Sequence, residues 1–495
     1  MHLEWWAAYY SGLSLGLNKG EALYQALRRS ITLGFYSRGE RLPSSRETAK
    51  ALGLSRGTVI QAYESLTAEG YIEAVPGGYT KVCSLYTQAQ EYSSVSLELS
   101  MWGQRVQELV NQRQLLIEDR RTAYTIDLRP NDRGRSLFPE LEWQRCLRTA
   151  IRSIYDPSKS NPEHVPRLED AIASHLTRWR GVHTTSDHII ITNGSQQALM
   201  MITAMLINTG DHVLVETPSF HGIRDAVYAA GGITEPFACD DDEQLERLLN
   251  QTSARLAIVT PNRQFPTGRS LGAAARKALM TWAENNDALI IEDDYDSDFG
   301  FGNRRYEPLQ AMDRQGRVIY IGSFTRTMSS ELRVGYMVLP EKLVAPIQAL
   351  MKLHGIYNVM RIEHTALALC MTSGNYERHL RRVNREQRRK VQIFCEIMQE
   401  YAGHLFKWYA NDVGFHLYAI WRQDPALYEE WSKEAQRQGV IWRDGSVYSM
   451  TDNEPRSVLF GIIHVEEEAW KQACKRMSLA WNVVMNRIRD GEIMG

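Results

Sequence analysis

Several short stretches of this chain end in residue types that can hold a small charged molecule. NGSQQALMM (193–201) follows the apolar run HIIIT and opens a helical pattern. A helix N-terminus presents unpaired N–H groups and the positive end of the helix dipole, which suits an anion. Gly194 permits close approach there, and Ser195 adds a hydroxyl. ETPSFHG (216–222) places Phe220 just past another apolar run, where an aromatic ring can lie on a flat ligand. IIEDDYDSDF (290–299) ends a third run in carboxylates. A buried aspartate at that point, Asp293, can keep a heteroaromatic ring nitrogen protonated, so that the ring draws electrons. QFPTG (264–268) follows a fourth run. Taken singly, each has a plainer reading: a helix cap, a core phenylalanine, a metal site or a solvated acidic surface.

A different chemistry sits near the N-terminus. Reading base edges requires a helix that enters the major groove with polar side chains toward the bases. Arg56, Thr58 and Gln61 open such a helical pattern, and Val59, Ala62, Tyr63 and Leu66 form its core side. Residues 38–56 hold five basic residues (Arg38, Arg41, Arg46, Lys50, Arg56) against two acidic ones (Glu40, Glu47). This local patch is hidden by the formal net charge of −2 for the whole chain, and phosphate contacts depend on such patches. A second basic run, HLRRVNREQRRK (379–390), reads at helical spacing as a solvated helix face or part of a dimer interface.

The elements that must position these residues fall into two sets. At 495 residues the chain is too long for one ordinary domain. Its 43% hydrophobic and 23% charged residues are ordinary for a globular protein. Six scattered cysteines, at 83, 146, 239, 370, 395 and 474, form no C-x-x-C pair and read as buried reduced thiols. Thirteen histidines show no metal-ligand spacing. MHLEWWAAYY lacks the basic start of a secretory signal, and no run of about 18 apolar residues offers a membrane span, so the expected location is cytoplasmic. The aromatic WWAAYY is expected to pack on the first domain.

The first set covers residues 1–82. LYQALRRSITLGF has helical apolar spacing, with Gly34 as a stop; SSRETAKALG carries Ser44 and Glu47 as a capping box and ends at Gly53. Ser55 opens a third helix, ended by Gly70, and YIEAV and YTKV flank Pro76-Gly77-Gly78 as a hairpin. Residues 83–125 are polar, with a helical pattern around Arg105 to Leu116, and read as a linker. From residue 126 to 495, HIIIT, HVLVE, LAIVT, LIIED and VIYIG alternate with helical segments. Continuous apolar runs of this kind predict strands buried on both faces, hence an α/β fold on a mostly parallel sheet, with a smaller α+β subdomain in the last hundred or so residues.

RGERLPSSRETAKALGLSRGTVIQAYESLTAEGYI closely resembles the GntR-type winged helix-turn-helix. The resemblance implies binding to a double-stranded DNA operator through Arg46, Arg56 and Thr58, with the wing near the minor groove. The ordered motifs from about residue 126 to 490 resemble a fold type I aminotransferase of the pyridoxal-phosphate class, and the whole chain resembles the MocR/GabR family of regulators. That resemblance implies a homodimer whose large domain senses a small-molecule effector. It implies pyridoxal 5′-phosphate or a related ligand, with Ser195 and Gln196 at the phosphate, Phe220 on the ring face, Asp293 at the pyridine nitrogen and Tyr295 near the phenolic oxygen. Ser323 and Arg333 are implied near the phosphate.

One position departs from the family. Its motif reads G-[ST]-F-S-K, then L-R-x-G-Y; this chain reads GSFTRTMSSELRVGY, with Arg326 at the lysine position. An imine needs a neutral primary amine, and a guanidinium stays charged. Two further departures accompany it: Arg263 stands where the family has histidine in H-Q-F-P, and His464 stands in GIIH where the family's arginine anchors a substrate carboxylate. The expectation is therefore a DNA-binding regulator with a catalytically silent domain and any ligand held noncovalently. The alternative is a working aminotransferase with a DNA-binding head. Asp293 and Arg326 are expected to share a cavity, with Arg326 either paired to Asp293 or turned toward the phosphate.

Overall fold

A buried strand surrounded by other strands must be apolar on both faces; four of the five runs above, HVLVE, LAIVT, LIIED and VIYIG, fall inside the large sheet, and HIIIT forms one of its edges. The structure is a computed structural model. It describes residues 10, 17–32, 35–75, 78–83, 98–114, 125–130, 137–155, 165–238, 241–296, 298–299, 307–355, 361–408, 414–451 and 454–491. Gly34, Pro76-Gly77, Cys239 and all of WWAAYY but Tyr10 lie outside them. The chain divides into two units, Met1–Leu99 and Ser100–Gly495.

The smaller unit is built on α1 (Lys19–Thr32), α2 (Ser45–Leu52) and α3 (Arg56–Ala68), followed by β1 (Ile72–Ala74) and β2 (Thr80–Val82). Ala22, Leu23, Ala26, Leu27 and Ile31 bury one face of α1 against Val59, Ala62 and Leu66 of α3. The capping box forms: Ser44 Oγ accepts from the Glu47 amide, and the Glu47 carboxylate accepts from the Ser44 amide at 2.7 Å. Gly53 ends α2 at φ 64°, a left-handed conformation that glycine adopts without cost. β1 and β2 pair antiparallel, Ile72 opposite Val82.

The larger unit begins with α4 (Met101–Gln114). The unit boundary thus falls inside the stretch read as one linker, because α4 finds partners on the large unit: Arg105 Nε donates to the Ala229 carbonyl at 3.1 Å, and Tyr228 donates to Glu108. Next come β3 (Ile126–Asp127), α5 (Glu140–Tyr155), α6 (Leu168–Arg180), β4 (Ile189–Thr192), α7 (Ser195–Leu206), β5 (His212–Thr217), α8 (His221–Ala230), β6 (Ile233–Ala238), α9 (Asp242–Gln251), β7 (Leu256–Val259), α10 (Ala273–Asn285), β8 (Leu289–Asp294), α11 (Leu309–Met312), β9 (Val318–Ser323) and β10 (Gly335–Val338). Seven strands form one sheet in the order β4-β10-β9-β8-β7-β5-β6. β6, β5, β7, β8 and β9 are parallel; β10 runs antiparallel to both its neighbours. Successive residues feed opposite faces: Val213, Val215, Ile258 and Ile291 pack in one core cluster, and Leu214, Ala257, Val259 and Ile290 in another.

After α12 (Glu341–Leu353) and α13 (Arg361–Thr372), α14 (Asn375–Ala402) leads into the smaller subdomain. There β11 (Phe406–Trp408), β12 (His416–Trp421), β14 (Arg443–Asp444) and β15 (Ser457–Gly461) make an antiparallel sheet in the order β11-β12-β15-β14. It packs against α14, α15 (Tyr428–Arg437) and α16 (Glu467–Arg489) through Phe394, Phe406, Trp431, Phe460 and Trp470. β13 (Val440–Ile441) pairs parallel with β3, tying the start of the large unit to its end. Among the described residues no helix is long and apolar enough to cross a membrane, no metal-ligand group is formed, and the five described cysteines are free.

Candidate functional site

The parallel strands deliver their C-terminal ends to one edge of the sheet, where an α/β fold places ligands. Asp293 reaches that edge on β8 and is 4% exposed. It has no hydrogen-bond or ion-pair partner among the described residues, and its Oδ1 is fully buried. Burial first, then Asp294, Asp296 and Glu216, push its carboxyl up to about 7. The adjacent acids are answered: Asp294 pairs with Arg180 at 2.9 Å, and Asp296 with Arg263 at 3.3 Å. Asp293 is therefore the acid left for something else to satisfy, since a buried polar group without a partner is costly.

Tyr295, two residues on, has a buried hydroxyl with no partner among the described residues. Its ring lies 5.8 Å from Phe265, centroid to centroid. Phe265 also meets Phe220 at 5.7 Å, His416 at 5.1 Å and Tyr448 at 5.1 Å. The expected ring-face residue Phe220 and the expected phenol Tyr295 thus converge on one aromatic hub. That hub comes from QFPTG, and His416 and Tyr448 join it from the C-terminal subdomain with no local sequence signal.

At the N-terminus of α7, Gly194 takes φ 82°, which favours glycine. Gln196 Nε2 donates to the Gly222 carbonyl at 3.0 Å. A Cβ on Gly222 would stand 2.0 Å from Gln196 Oε1 and 2.4 Å from the Phe220 ring, so only glycine lets both lie against α8. A Cβ on Gly335 would stand 2.7 Å from Gly194 backbone, so the last glycine of LRVGY lets β10 pass the α7 turn. Ser323 Oγ donates to Thr325 Oγ1 at 3.0 Å at the end of β9. Arg333 is exposed at φ 48°, an uncommon conformation for a non-glycine residue.

Arg326 is expected to share a cavity with Asp293, either paired to it or turned toward the phosphate; the pairing does not form, and the cavity that Arg326 lines includes none of Asp293, Ser195, Gln196, Ser323 and Arg333. Arg326 lines a cavity of about 600 Å³ with Phe138, Trp143, His379 and Phe415, its guanidinium 5.9 Å over the Phe415 ring. Burial raises the Tyr295 hydroxyl and Asp296, and Arg263 and then Arg326 oppose that rise. Burial, then Arg326 and Arg263, bring His416 down to about 3. Asp296, just past β8, is met by Arg263 from the H-Q-F-P position, and Arg326 stands over the Phe415 ring. His464 Nε2 donates to the Asp127 carbonyl on β3 at 3.1 Å, while its neighbour Ile463 lines the Arg326 cavity.

On the smaller unit, Arg46, Arg56 and Gln61 are exposed, whereas Thr58 is half-buried and shares a 2.8 Å hydrogen bond with Ser55 at the cap of α3. Thr48 and Tyr63 bond at 3.0 Å, and Tyr63 donates to the Pro43 carbonyl at 2.8 Å, fixing α2 against α3. Sequence reading placed Tyr63 in the core but did not foresee this polar clasp. Arg41 lies 3.9 Å over the Tyr79 ring of the wing.

Residues 158–476 match the family described as aminotransferase class I and II, and residues 19–82 match the bacterial regulatory proteins of the gntR family. The chain is 34% identical over 431 residues to the rhizopine catabolism regulatory protein MocR of Rhizobium meliloti, covering 84% of each chain. It is 29% identical over 381 residues to the HTH-type pyridoxine biosynthesis transcriptional regulator PdxR of Corynebacterium glutamicum, covering 75% of this chain and 77% of that one. The large unit is similar in fold to a multiple substrate aminotransferase from Thermococcus profundus, with a TM-score of 0.66 at 20% identity, over 79% of this chain and 98% of that one.

Proposed function

This chain belongs to the MocR-type DNA-binding transcription regulators, a GntR-type winged helix-turn-helix joined to an aminotransferase class I and II domain, and on that footing we propose that its large domain is a catalytically silent, noncovalent ligand sensor. The observation that carries this reading is Arg326 at the amine position, in a chain that keeps a buried aspartate, Asp293, with no partner among the described residues.

The residues present fit a pyridoxal-type ring. Asp293 offers a buried acceptor for a protonated ring nitrogen, Tyr295 a buried hydroxyl for a phenolic oxygen, and Phe220 an aromatic face. Ser195, Gln196, Ser323 and Arg333 are the groups we assign to the phosphate, and His464 to a second acidic group. When bound, pyridoxal 5′-phosphate supplies an aldehyde and an electron-accepting ring. What this chain lacks is the amine: a guanidinium in its place is no nucleophile and does not shuttle a proton. A relative named for pyridoxine biosynthesis is consistent with an effector of that ring class.

We assign operator reading to Arg46, Arg56, Thr58 and Gln61 in a cytoplasmic homodimer. Leu141, Ile151 and Tyr155 lie along one side of α5 at 67%, 45% and 74% exposure, a stripe suited to a second copy of the chain. The test of silence is direct. Wild-type protein mixed with pyridoxal 5′-phosphate should show no visible imine absorption band, and Arg326→Lys should gain one. A wild-type band would instead favour a working aminotransferase with a DNA-binding head.

A further inference from the structure

A separate cavity of about 190 Å³ lies between α6 and α14. His175, Trp179 and Arg180 line it from α6, Leu380 and three polar residues from α14, and Asp298 from the segment after β8. None of Asp293, Tyr295, Phe220, Phe265 and Arg326 lines it. At roughly 30 Å³ per water it has room for about six waters, hence for a small organic molecule.

Some of its polar groups are already answered within the fold. Arg180 pairs with Asp294 at 2.9 Å. Asp298 accepts from His175 Nε2 at 3.0 Å and from Tyr376 at 2.7 Å. Three buried atoms are not answered: His175 Nδ1, Glu377 Oε2 and Asn384 Oδ1 have no hydrogen-bond partner among the described residues. His175 is only 6% exposed, and the Glu377 carboxylate comes no nearer to its Nδ1 than 3.8 Å, beyond hydrogen-bond length. Against burial, which lowers it, Asp298 and Glu377 raise the His175 imidazole to about 9, so Nδ1 carries a proton to donate. Arg381 follows Glu377 by one helical turn, lines the same cavity, and has no ion-pair partner among the described residues.

The cavity thus holds unmatched groups of both signs. His175 Nδ1–H and the Arg381 guanidinium are cationic donors; Glu377 Oε2 and Asn384 Oδ1 are acceptors. A simple anion would leave the acceptors unmet and a simple cation would leave the donors unmet, and a buried polar group without a partner is costly. The Trp179 ring and Leu380 supply apolar wall beside them. We propose that this cavity binds a small amino acid as its zwitterion, with the carboxylate on Arg381 and His175 Nδ1, the ammonium on Glu377 and Asn384, and a short apolar side chain against Trp179 and Leu380. Each ligand charge then makes charge-assisted hydrogen bonds, the stronger kind. This site and the ring site at Asp293 share no residue, and neither depends on the other.

L-valine, isovalerate and isobutylamine form a matched set for the test: the second lacks the ammonium and the third the carboxylate. Each is titrated calorimetrically into the full chain. L-valine should bind at least about tenfold more tightly than either fragment. Arg381→Ala, and Asn384→Leu, which keeps the volume and removes the acceptor, should each weaken L-valine at least about tenfold. Asp293→Asn should not alter its binding, which separates this cavity from the ring site. Melting temperatures without ligand show that each variant is folded, and Arg381 is exposed, so its replacement spares the core. A fragment that binds as tightly as L-valine overturns the proposal, as does L-valine binding that survives both variants or is lost with Asp293→Asn in folded protein. No binding of L-valine overturns it too, and the cavity is then a water-filled gap in a structural network.

Discussion

In the proposed function Asp293 and Arg326 carry most of the weight, and each could be named from sequence because it falls in a motif at a strand end. Their relation could not. Whether two charged side chains from β8 and the segment after β9 pair depends on their placement in the fold: Arg263 pairs with Asp296, and Arg326 lies over Phe415. The lone carboxyl of Asp293 has a pH signature. Its folded value, about 7, lies above the ordinary aspartate value. A raised acid favours the folded state while protonated, so this contribution is present at pH 4 and is lost as pH rises through 7. Asp293→Asn should therefore melt higher than wild type at pH 8, by an amount worth on the order of a few kcal/mol, and close to wild type at pH 4. An equal gain at both pH values would show that ionisation is not involved.

At the scale of elements, the central strands were legible because both faces are buried and each carries a run of apolar residues; β10 was not, since GYMV opens on glycine and lacks such an Ile/Val run. The aromatic hub was legible only in part. Phe220 and Tyr295 lie near strand ends, but Phe265 gathers His416 and Tyr448 from more than 140 residues away, and no local pattern records that. A second buried cluster was missed for the same reason. His175 on α6 pairs with Asp298 at 3.0 Å, and Tyr376 on α14 donates to Asp298 at 2.7 Å. The pair drives His175 up to about 9 and Asp298 down to about 2, in each case against the effect of burial. Removing one member strands the other, so Asp298→Ala should destabilise the large unit by about 3–5 kcal/mol in chemical denaturation; a loss below about 1 kcal/mol would mean the pair is not uniquely formed. The helix α4 also docks by few contacts. Arg105 meets the C-terminal carbonyls of α8, where a cation is favoured. Arg105→Ala should hasten hydrogen exchange across α4 and leave the seven-stranded sheet protected; uniform exchange changes would contradict a local role.

The whole molecule combines a near-neutral chain with a local basic patch over residues 38–56 of its head. Its DNA affinity should fall steeply with salt, and the fall should come from the head alone. Lys50→Ala should flatten the salt slope by about 1 across all sequences, whereas Arg56→Ala should cost about 1–3 kcal/mol and relax specificity at one base position; fluorescence anisotropy over a salt series separates the two. The two-part organisation was legible from end to end because each part has its own periodicity, while the unit boundary shifted because α4 packs on the large unit.

The central claim is that the large domain binds a ring without bonding to it. Wild-type protein saturated with pyridoxal 5′-phosphate, treated with borohydride and weighed by intact mass spectrometry tests it most directly. The account predicts a saturable rise in melting temperature, reversed by dialysis, and an unchanged protein mass. A reduced adduct on any lysine of the folded wild-type chain at one ring per subunit would contradict it.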